Sequence, residues 1–269
     1  MSDTNAAAFR RLHQNATPLR LPNAWDAASA GLFQHIGAPA IATTSAGVAW
    51  SLGYRDGRSL PVAEAVAAAA RIVRVLKVPL TVDVENGYSD DPGVVAEIVQ
   101  RLADIGVAGI NIEDGADEPQ RLAAKIEAIR SSLARARADL FVNARTDVFL
   151  AGLAEPAQRV GETIKRARLY AEAGADGLFV PALHEPPAIT ALVAGTALPL
   201  NVMAWPGLAG AEELGRLGVR RLSAGSAISQ LAWGAAERAA AAFLETGESN
   251  PLFGGSKGFA DLQRLFPDA

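Results

Sequence analysis

The sequence predicts one α/β domain over residues 1–269, a (β/α)8 TIM-type barrel with an N-terminal helix and an extra C-terminal helix. Three observations predict it. Short apolar runs ending in polar residues alternate with Ala-rich stretches of helical period almost to the C-terminus, which is the rhythm of βα units. Eight such runs can be placed, more than a doubly wound open sheet of this length ordinarily holds. A phrase that closes a helix with Gly and enters a strand occurs three times, as Asp104-Ile-Gly-Val-Ala-Gly-Ile110, Ala173-Gly-Ala-Asp-Gly-Leu178 and Leu217-Gly-Val-Arg-Arg-Leu222.

Residues 1–18 read as a leading helix with a short link. Strand 19–23 is followed by helix 26–36, strand 40–43 by a polar turn and helix 61–76, and strand 80–83 by helix 92–104. Strand 109–112 leads into helix 119–136, and strand 140–143 into helix 156–173. Strands 177–180, 198–202 and 220–223 precede helices 185–194, 209–217 and 226–245. Several of these helices open on Pro, which suits a first turn because its missing N–H has no acceptor there. Residues 246–256, rich in Gly, Ser, Asn and Pro, form a loop before a final helix near 259–265. That helix lies outside the eight units and is expected on the barrel exterior or on a neighbouring subunit.

The 25 basic and 29 acidic residues leave a net charge of −4 without a long single-sign run, so neither nucleic acid nor an anionic membrane is the expected partner. The absence of cysteine excludes disulfides, thiolate metal sites and a cysteine acid, base or nucleophile. The N-terminus lacks the basic start and apolar core of a signal peptide, and no stretch approaches the ~20 apolar residues of a membrane span. The expected location is cytoplasmic.

Chemistry in such a barrel is built where strands end. The first strand delivers Asn23, Trp25 and Asp26; the second Thr43, Thr44, Ser45 and then Asp56; the third Asp83 and Glu85. The fourth ends in Asn111, Glu113 and Asp114, the fifth in Asn143, Arg145 and Asp147, the seventh in Asn201 and the eighth in Ser223. Asp56, Asp83, Glu85 and Glu113 cannot share one cleft without a cation, because like charges a few ångströms apart repel. Oxygen ligands without Cys or a well-placed His select a hard ion, which favours Mg²⁺ with Mn²⁺ as the substitute. Any one of these acids taken alone fits a helix cap or an arginine partner equally well, so the metal reading rests on the cluster.

Arg145 is the one cation placed among these acids. It either neutralises Asp147 or Glu113, or clamps a substrate carboxylate. The Thr43-Thr-Ser-Ala-Gly47 turn offers hydroxyls and backbone N–H groups to an anionic oxygen, although such a turn is also ordinary loop chemistry. Asp114 and Asp147 read as structural or supporting. Tyr54 and Tyr88 border the acidic loops, and Trp25 either walls the pocket or fills the barrel mouth. His13, His35 and His184 read as surface or capping residues, with His184, the only one near a strand's C-terminal end, also an acid/base alternative.

At these strand ends the sequence resembles the isocitrate lyase and phosphoenolpyruvate mutase superfamily. The matching pieces are Asn23-Ala-Trp-Asp26, Thr43-Thr-Ser-Ala-Gly-Val48, Leu52-Gly-Tyr-Arg-Asp56, Val82-Asp-Val-Glu-Asn-Gly-Tyr88, Gly106-Val-Ala-Gly-Ile-Asn-Ile-Glu-Asp114 and Asn143-Ala-Arg-Thr-Asp147. They run in family order. The resemblance implies a β/α barrel enzyme that binds Mg²⁺ and an α-oxo carboxylate, usually a homotetramer whose C-terminal helix is exchanged between subunits. By position it implies Asp83 as the direct metal ligand, with Asp56, Glu85 and Glu113 acting through water. Thr44, Ser45 and Ala46 would cradle the substrate carboxylate and Arg145 would stabilise developing negative charge. Trp25, Asn111, Asn143 and Asn201 complete the expected substrate-binding set, and Tyr88 joins Arg145 as a catalytic candidate.

The departures are as informative. Isocitrate and methylisocitrate lyases carry a Lys-Lys-Cys-Gly-His lid segment whose Cys is the acid/base, and this chain has no Cys. The mutase pattern places Lys directly after Glu-Asp, where this chain has Gly115 and the short Ala116-Asp-Glu-Pro-Gln120. The expected activity is therefore a Mg²⁺-dependent carbon–carbon lyase of small 2-oxo or 2-hydroxy (di)carboxylates, working by retro-aldol cleavage or decarboxylation. The alternatives are P–C bond chemistry on a phosphonate and non-catalytic, metal-dependent binding of a 2-oxo acid.

Overall fold

The computed structural model describes residues 5–266. Helix α1 (Asn5–Leu12) leads into β1 (Leu19–Leu21) and β2 (Asn23–Ala24), then α2 (Ala27–His35), β3 (Ile41–Thr43), α3 (Ser45–Ser51) and α4 (Val62–Val75). There follow β4 (Leu80–Asp83), α5 (Pro92–Asp104), β5 (Gly109–Glu113), α6 (Pro119–Ala136) and β6 (Phe141–Arg145). A π-helical turn (Val148–Gly152) and a 3-10 turn (Pro156–Gln158) precede α7 (Arg159–Glu172). Next come β7 (Gly177–Phe179), α8 (Pro186–Gly195), β8 (Leu200–Met203), α9 (Ala211–Arg216) and β9 (Arg221–Ser223). The C-terminal segment holds α10 (Ala227–Thr246), α11 (Asn250–Phe253) and α12 (Phe259–Gln263).

All strand pairings are parallel, in the order β1-β9-β8-β7-β6-β5-β4-β3-β2. Its two ends belong to one barrel strand divided at Pro22. Leu19–Leu21 pairs with β9, while Asn23–Ala24 pairs with β3. Pro22 has no N–H to donate, so it interrupts the strand, yet its carbonyl still accepts from Ala42 N at 3.2 Å. The ring thus closes into a β/α barrel, as the alternating pattern predicts.

The repeated αβ phrase has one cause. Gly106, Gly174 and Gly218 have φ of +93°, +104° and +94°. In each copy the Gly N–H reaches the carbonyl three residues back and the next N–H the carbonyl five back, as in Val107 N to Leu102 O at 3.1 Å. That is the Schellman ending. Gly37 makes a further copy, and Arg137 another at φ +52° without glycine.

Two apolar clusters fill the space between strands and helices, one around Ile72, Val99, Ile110 and Ile126, the other around Leu178, Leu192 and Val202. A third lies inside the barrel floor, where Phe9 of α1 meets Leu19, Leu21, Ala40, Ala42, Ala108 and Phe141. The interior residues here are small, and Gly109 leaves no room for a Cβ, which would lie 3.0 Å from the Phe9 ring. The leading helix is therefore the plug of the barrel bottom. It carries His13 inside with it: His13 is buried, stacked 4.3 Å from the Phe141 ring centroid, and not the surface residue expected of it. Its helix packs against the barrel floor instead of solvent.

Two further differences concern local structure. The turn after β3 is a short helix, α3, capped by Thr44, whose Oγ1 accepts from Gly47 N at 3.4 Å. At the other end, α10 leaves the barrel with only Ser229 buried among its residues, and exposes Leu231, Trp233, Phe243 and Leu244. The chain then returns, and Leu265 and Phe266 pack on Gly31 of α2. Among the described residues no helix is long and apolar enough to cross a membrane.

Candidate active site

The C-terminal strand ends converge on one cleft. Asp83 ends β4, its backbone N–H donating to Thr43 Oγ1 at 2.9 Å and its carboxylate accepting from Ser45 Oγ at 3.4 Å and Glu85 N at 3.1 Å. Beyond it the chain turns tightly, with Glu85, Gly87 and Tyr88 at φ of +51°, +90° and +60°. Gly87 is required twice over: a Cβ there would lie 2.6 Å from Val95 Cγ1, and the conformation itself is left-handed. This turn buries Glu85, whose carboxylate accepts from the Arg58 backbone N–H and so ties the Asp56 loop to the end of β4. Asp56 itself is exposed on that loop.

Glu113 ends β5 in register with Arg145 at the end of β6. Arg145 Nη1 meets Glu113 Oε2 at 2.7 Å, while Nε and Nη2 grip Asp147 at 2.7 and 3.0 Å. Both acids that the sequence offered as partners for Arg145 are its partners. Three of the five guanidinium N–H groups are engaged this way, leaving two for a ligand. Asp114 is buried behind them, accepting from Arg166 Nη1 at 2.8 Å, Tyr170 Oη at 2.6 Å and Asp147 N at 3.0 Å. Asp114 thus holds Asp147, which holds Arg145, the supporting role expected for both acids.

The electrostatics record the crowding. Burial first, and then repulsion from Asp83, Asp147 and Glu85, pushes Glu113 up to about 8 although Arg145 opposes this. Asp83 is raised by desolvation and by Asp56, and Glu85 by desolvation, Asp83 and Asp56. Tyr88 is raised by burial and by all four acids together, so its phenol stays protonated. Burial works against the charge of Arg145, but Glu113 and Asp147 overcome it and raise its pKa.

These shifts test whether the residues suit a divalent cation. Asp83, Glu85 and Glu113, raised by burial and by their acidic neighbours, form with Asp56 a donor set of hard oxygens short of positive charge, which such an ion supplies. Among the described residues no three acids stand close enough to grip one ion directly.

The remaining expected residues divide into two groups. Thr44, Ser45 and Ala46 start α3, where the first-turn N–H groups of Ser45 and Ala46 have no intrahelical acceptor. Trp25 rests edge-on against Phe33 of α2, its Cβ close beside Gly47. Asn111, Asn143 and Asn201 instead form a buried amide chain across the barrel interior, Asn143 Nδ2 donating to Asn111 Oδ1 at 3.0 Å and to Asn201 Oδ1 at 3.1 Å. His184 turns its Nδ1 to the Ala182 carbonyl at 2.9 Å and His35 is exposed. Arg221, which the sequence did not single out, joins the amide chain from below at 3.1 Å from Asn111 Oδ1. Its signal was its place two residues before Ser223 in the same strand, and hence on the same inward face.

Comparison with known proteins identifies the family. Residues 9–244 match the family model described as phosphoenolpyruvate phosphomutase. An uncharacterised protein of Mycobacterium tuberculosis is 40% identical over 265 residues, covering 97% of this chain and 96% of the relative. An oxaloacetate decarboxylase of Ectopseudomonas mendocina is 32% identical over 176 residues, 63% of this chain and 60% of that protein. A crystal structure from Burkholderia cenocepacia, assigned as a phosphonomutase, superposes with TM-score 0.82 at 39% identity, over 91% of this chain and 100% of that one. The chain belongs to the phosphoenolpyruvate phosphomutase family, within the PEP mutase/isocitrate lyase superfamily of enzymes.

Proposed function

We propose that the protein is a Mg²⁺-dependent carbon–carbon lyase of small 2-oxo or 2-hydroxy (di)carboxylates, acting by retro-aldol cleavage or decarboxylation. The observation that carries this reading is the gathering of Asp83, Glu85, Glu113 and Asp56 around Tyr88, with Arg145 paired to Glu113 as the fixed cation. Asp83 would hold the ion directly and Asp56, Glu85 and Glu113 through water. Bound there, Mg²⁺ supplies Lewis-acid polarisation of a 2-oxo acid.

The chain's own residues do the rest. The first turn of α3, with Ser45 and Ala46, receives a substrate carboxylate. Arg145, oriented by Glu113 and Asp147, presents its two remaining N–H groups where negative charge develops on the enolate oxygen. Tyr88 is kept as a phenol by burial and by its acidic neighbours, so it offers a hydrogen bond to developing negative charge and does not act as a base. Likeness to oxaloacetate decarboxylase supports a 2-oxo dicarboxylate, and the lack of cysteine argues against the acid/base step of isocitrate and methylisocitrate lyases.

A second reading is P–C bond chemistry on a phosphonate, favoured by the 39% identity to the Burkholderia protein assigned as a phosphonomutase. The two separate in one experiment. A panel of 2-oxo, 2-hydroxy and phosphono acids is incubated with Mg²⁺ and followed by ¹H and ³¹P NMR. Turnover of an oxaloacetate-like acid is the expected result; turnover confined to phosphonates selects the second reading. Metal-dependent binding with no product from any compound leaves a 2-oxo acid binder and removes the enzyme.

A further inference from the structure

Arg221 lies wholly inside the barrel, 1% exposed, above the ring of Phe9 at 5.8 Å. Among the described residues it has no carboxylate partner. Its side chain makes one hydrogen bond, from Nη2 to Asn111 Oδ1 at 3.1 Å, and its Nε and Nη1 have no partner. A buried cation so poorly compensated is costly, and the amide chain above it shows what it achieves.

A guanidinium carries donors and no acceptor. The Asn111 side chain must therefore turn its oxygen towards Arg221, and the same oxygen takes the second bond from Asn143 Nδ2. Asn143 in turn donates to Asn201 Oδ1, and Asn201 Nδ2 donates to Ser223 Oγ at 3.2 Å and to the Val202 carbonyl at 2.7 Å. Asn201 is fixed by backbone acceptors, the Val202 and Arg221 carbonyls, so Asn143 must present its Nδ2 to both neighbouring amide oxygens, and without Arg221 that one bond is all that holds the Asn111 side chain. With Arg221 a second donor holds the same orientation. That orientation leaves the Nδ2 hydrogens of Asn111 without a protein partner, one strand away from Asp83, with which Asn111 is in register.

We infer that Arg221 is a positioning residue: it locks the Asn111 amide so that Nδ2 donates to an oxygen of the substrate held beside Asp83. The site thereby selects a ligand with an acceptor oxygen at that point. This inference rests on the proposed reading of the site as one for 2-oxo acids.

The probe is oxalate, a stable dianion with the O–C–C–O arrangement of a pyruvate enolate. Its affinity is measured by calorimetry with Mg²⁺ for the wild type, Asn111→Ala, Arg221→Met and the double variant, each checked for thermal unfolding. Each single substitution is expected to weaken oxalate on the order of tenfold, the worth of a hydrogen bond to a charged group. The double variant should be no weaker than Asn111→Ala alone, because both remove the same bond. Losses that add, or a folded Arg221→Met with wild-type affinity, overturn the inference.

Should Arg221→Met fail to fold, the wild type decides. The Asn111 side-chain amide resonances, assigned by their absence in Asn111→Ala, should shift when oxalate is added with Mg²⁺ and stay in place with Mg²⁺ alone. Oxalate binding that leaves them unmoved overturns the positioning role and spares the site. Failure of oxalate to bind the wild type overturns the reading of the site, and this role with it.

Discussion

At the scale of single residues, the fold depends on charges and rings whose surroundings have been chosen for them by the strands. His13 is held neutral: burial, and then the charge of Arg221, lowers it from 6.5 to about 3. Between those values the unfolded chain takes up a proton that the folded chain refuses, so stability falls as pH drops below about 6.5, by about 1.4 kcal/mol per pH unit. His13→Phe keeps the stack on Phe141 and removes the titration. Denaturant unfolding at pH 7 and pH 5 should show the variant losing about 2 kcal/mol less than the wild type over that interval. Arg145 is bound by geometry as well as charge. Arg145→Lys keeps the charge but cannot span Glu113 and Asp147 together, and should lower kcat by about 10²–10³-fold. Steady-state kinetics on a turned-over 2-oxo acid checks it, and an unchanged kcat would remove Arg145 from the chemistry.

At the scale of elements, the useful unit is the strand end with its loop. The turn from Asp83 to Tyr88 is bent by three left-handed residues and fitted against α5 through Gly87. Gly87→Ala should destabilise by about 1–3 kcal/mol, by strain and overpacking, and weaken Mg²⁺-dependent ligand binding at the same time. Chemical denaturation and calorimetry read the two effects separately. This turn also shows what a sequence can disclose. Strand ends were legible because each apolar run stops abruptly at an acid or amide, as in Val82-Asp83 and Ile112-Glu113. The supporting roles of Asp114 and Asp147 were legible for the same reason. Helix α3 was not, since its seven residues are too short to show a period and contain Gly47. Arg221 was overlooked because Arg220 stands beside it, and only the two-residue spacing to Ser223 tells which of the two faces inward. His13 was misplaced because nothing in a leading helix announces that a barrel floor will close over it.

At the scale of the molecule, the barrel interior is divided by height: an apolar floor plugged by α1, a band of amides on Arg221, and the acids at the mouth. Outside it, α10 carries Leu231, Trp233, Phe243 and Leu244 into solvent, a patch of the kind that a second subunit covers. We expect a dimer or tetramer built on this helix. Sedimentation should show the oligomer for the wild type and a monomer for Leu231→Glu combined with Leu244→Glu; an unchanged mass would place the contact elsewhere. The central claim, that the acids at the barrel mouth exist to hold a divalent cation, is tested most directly by Mn²⁺ electron paramagnetic resonance with oxalate present. The account predicts that the wild type captures Mn²⁺, that Mg²⁺ displaces it, and that Asp83→Ala abolishes capture while remaining folded. Equal capture by wild type and Asp83→Ala, or none by either, would contradict it.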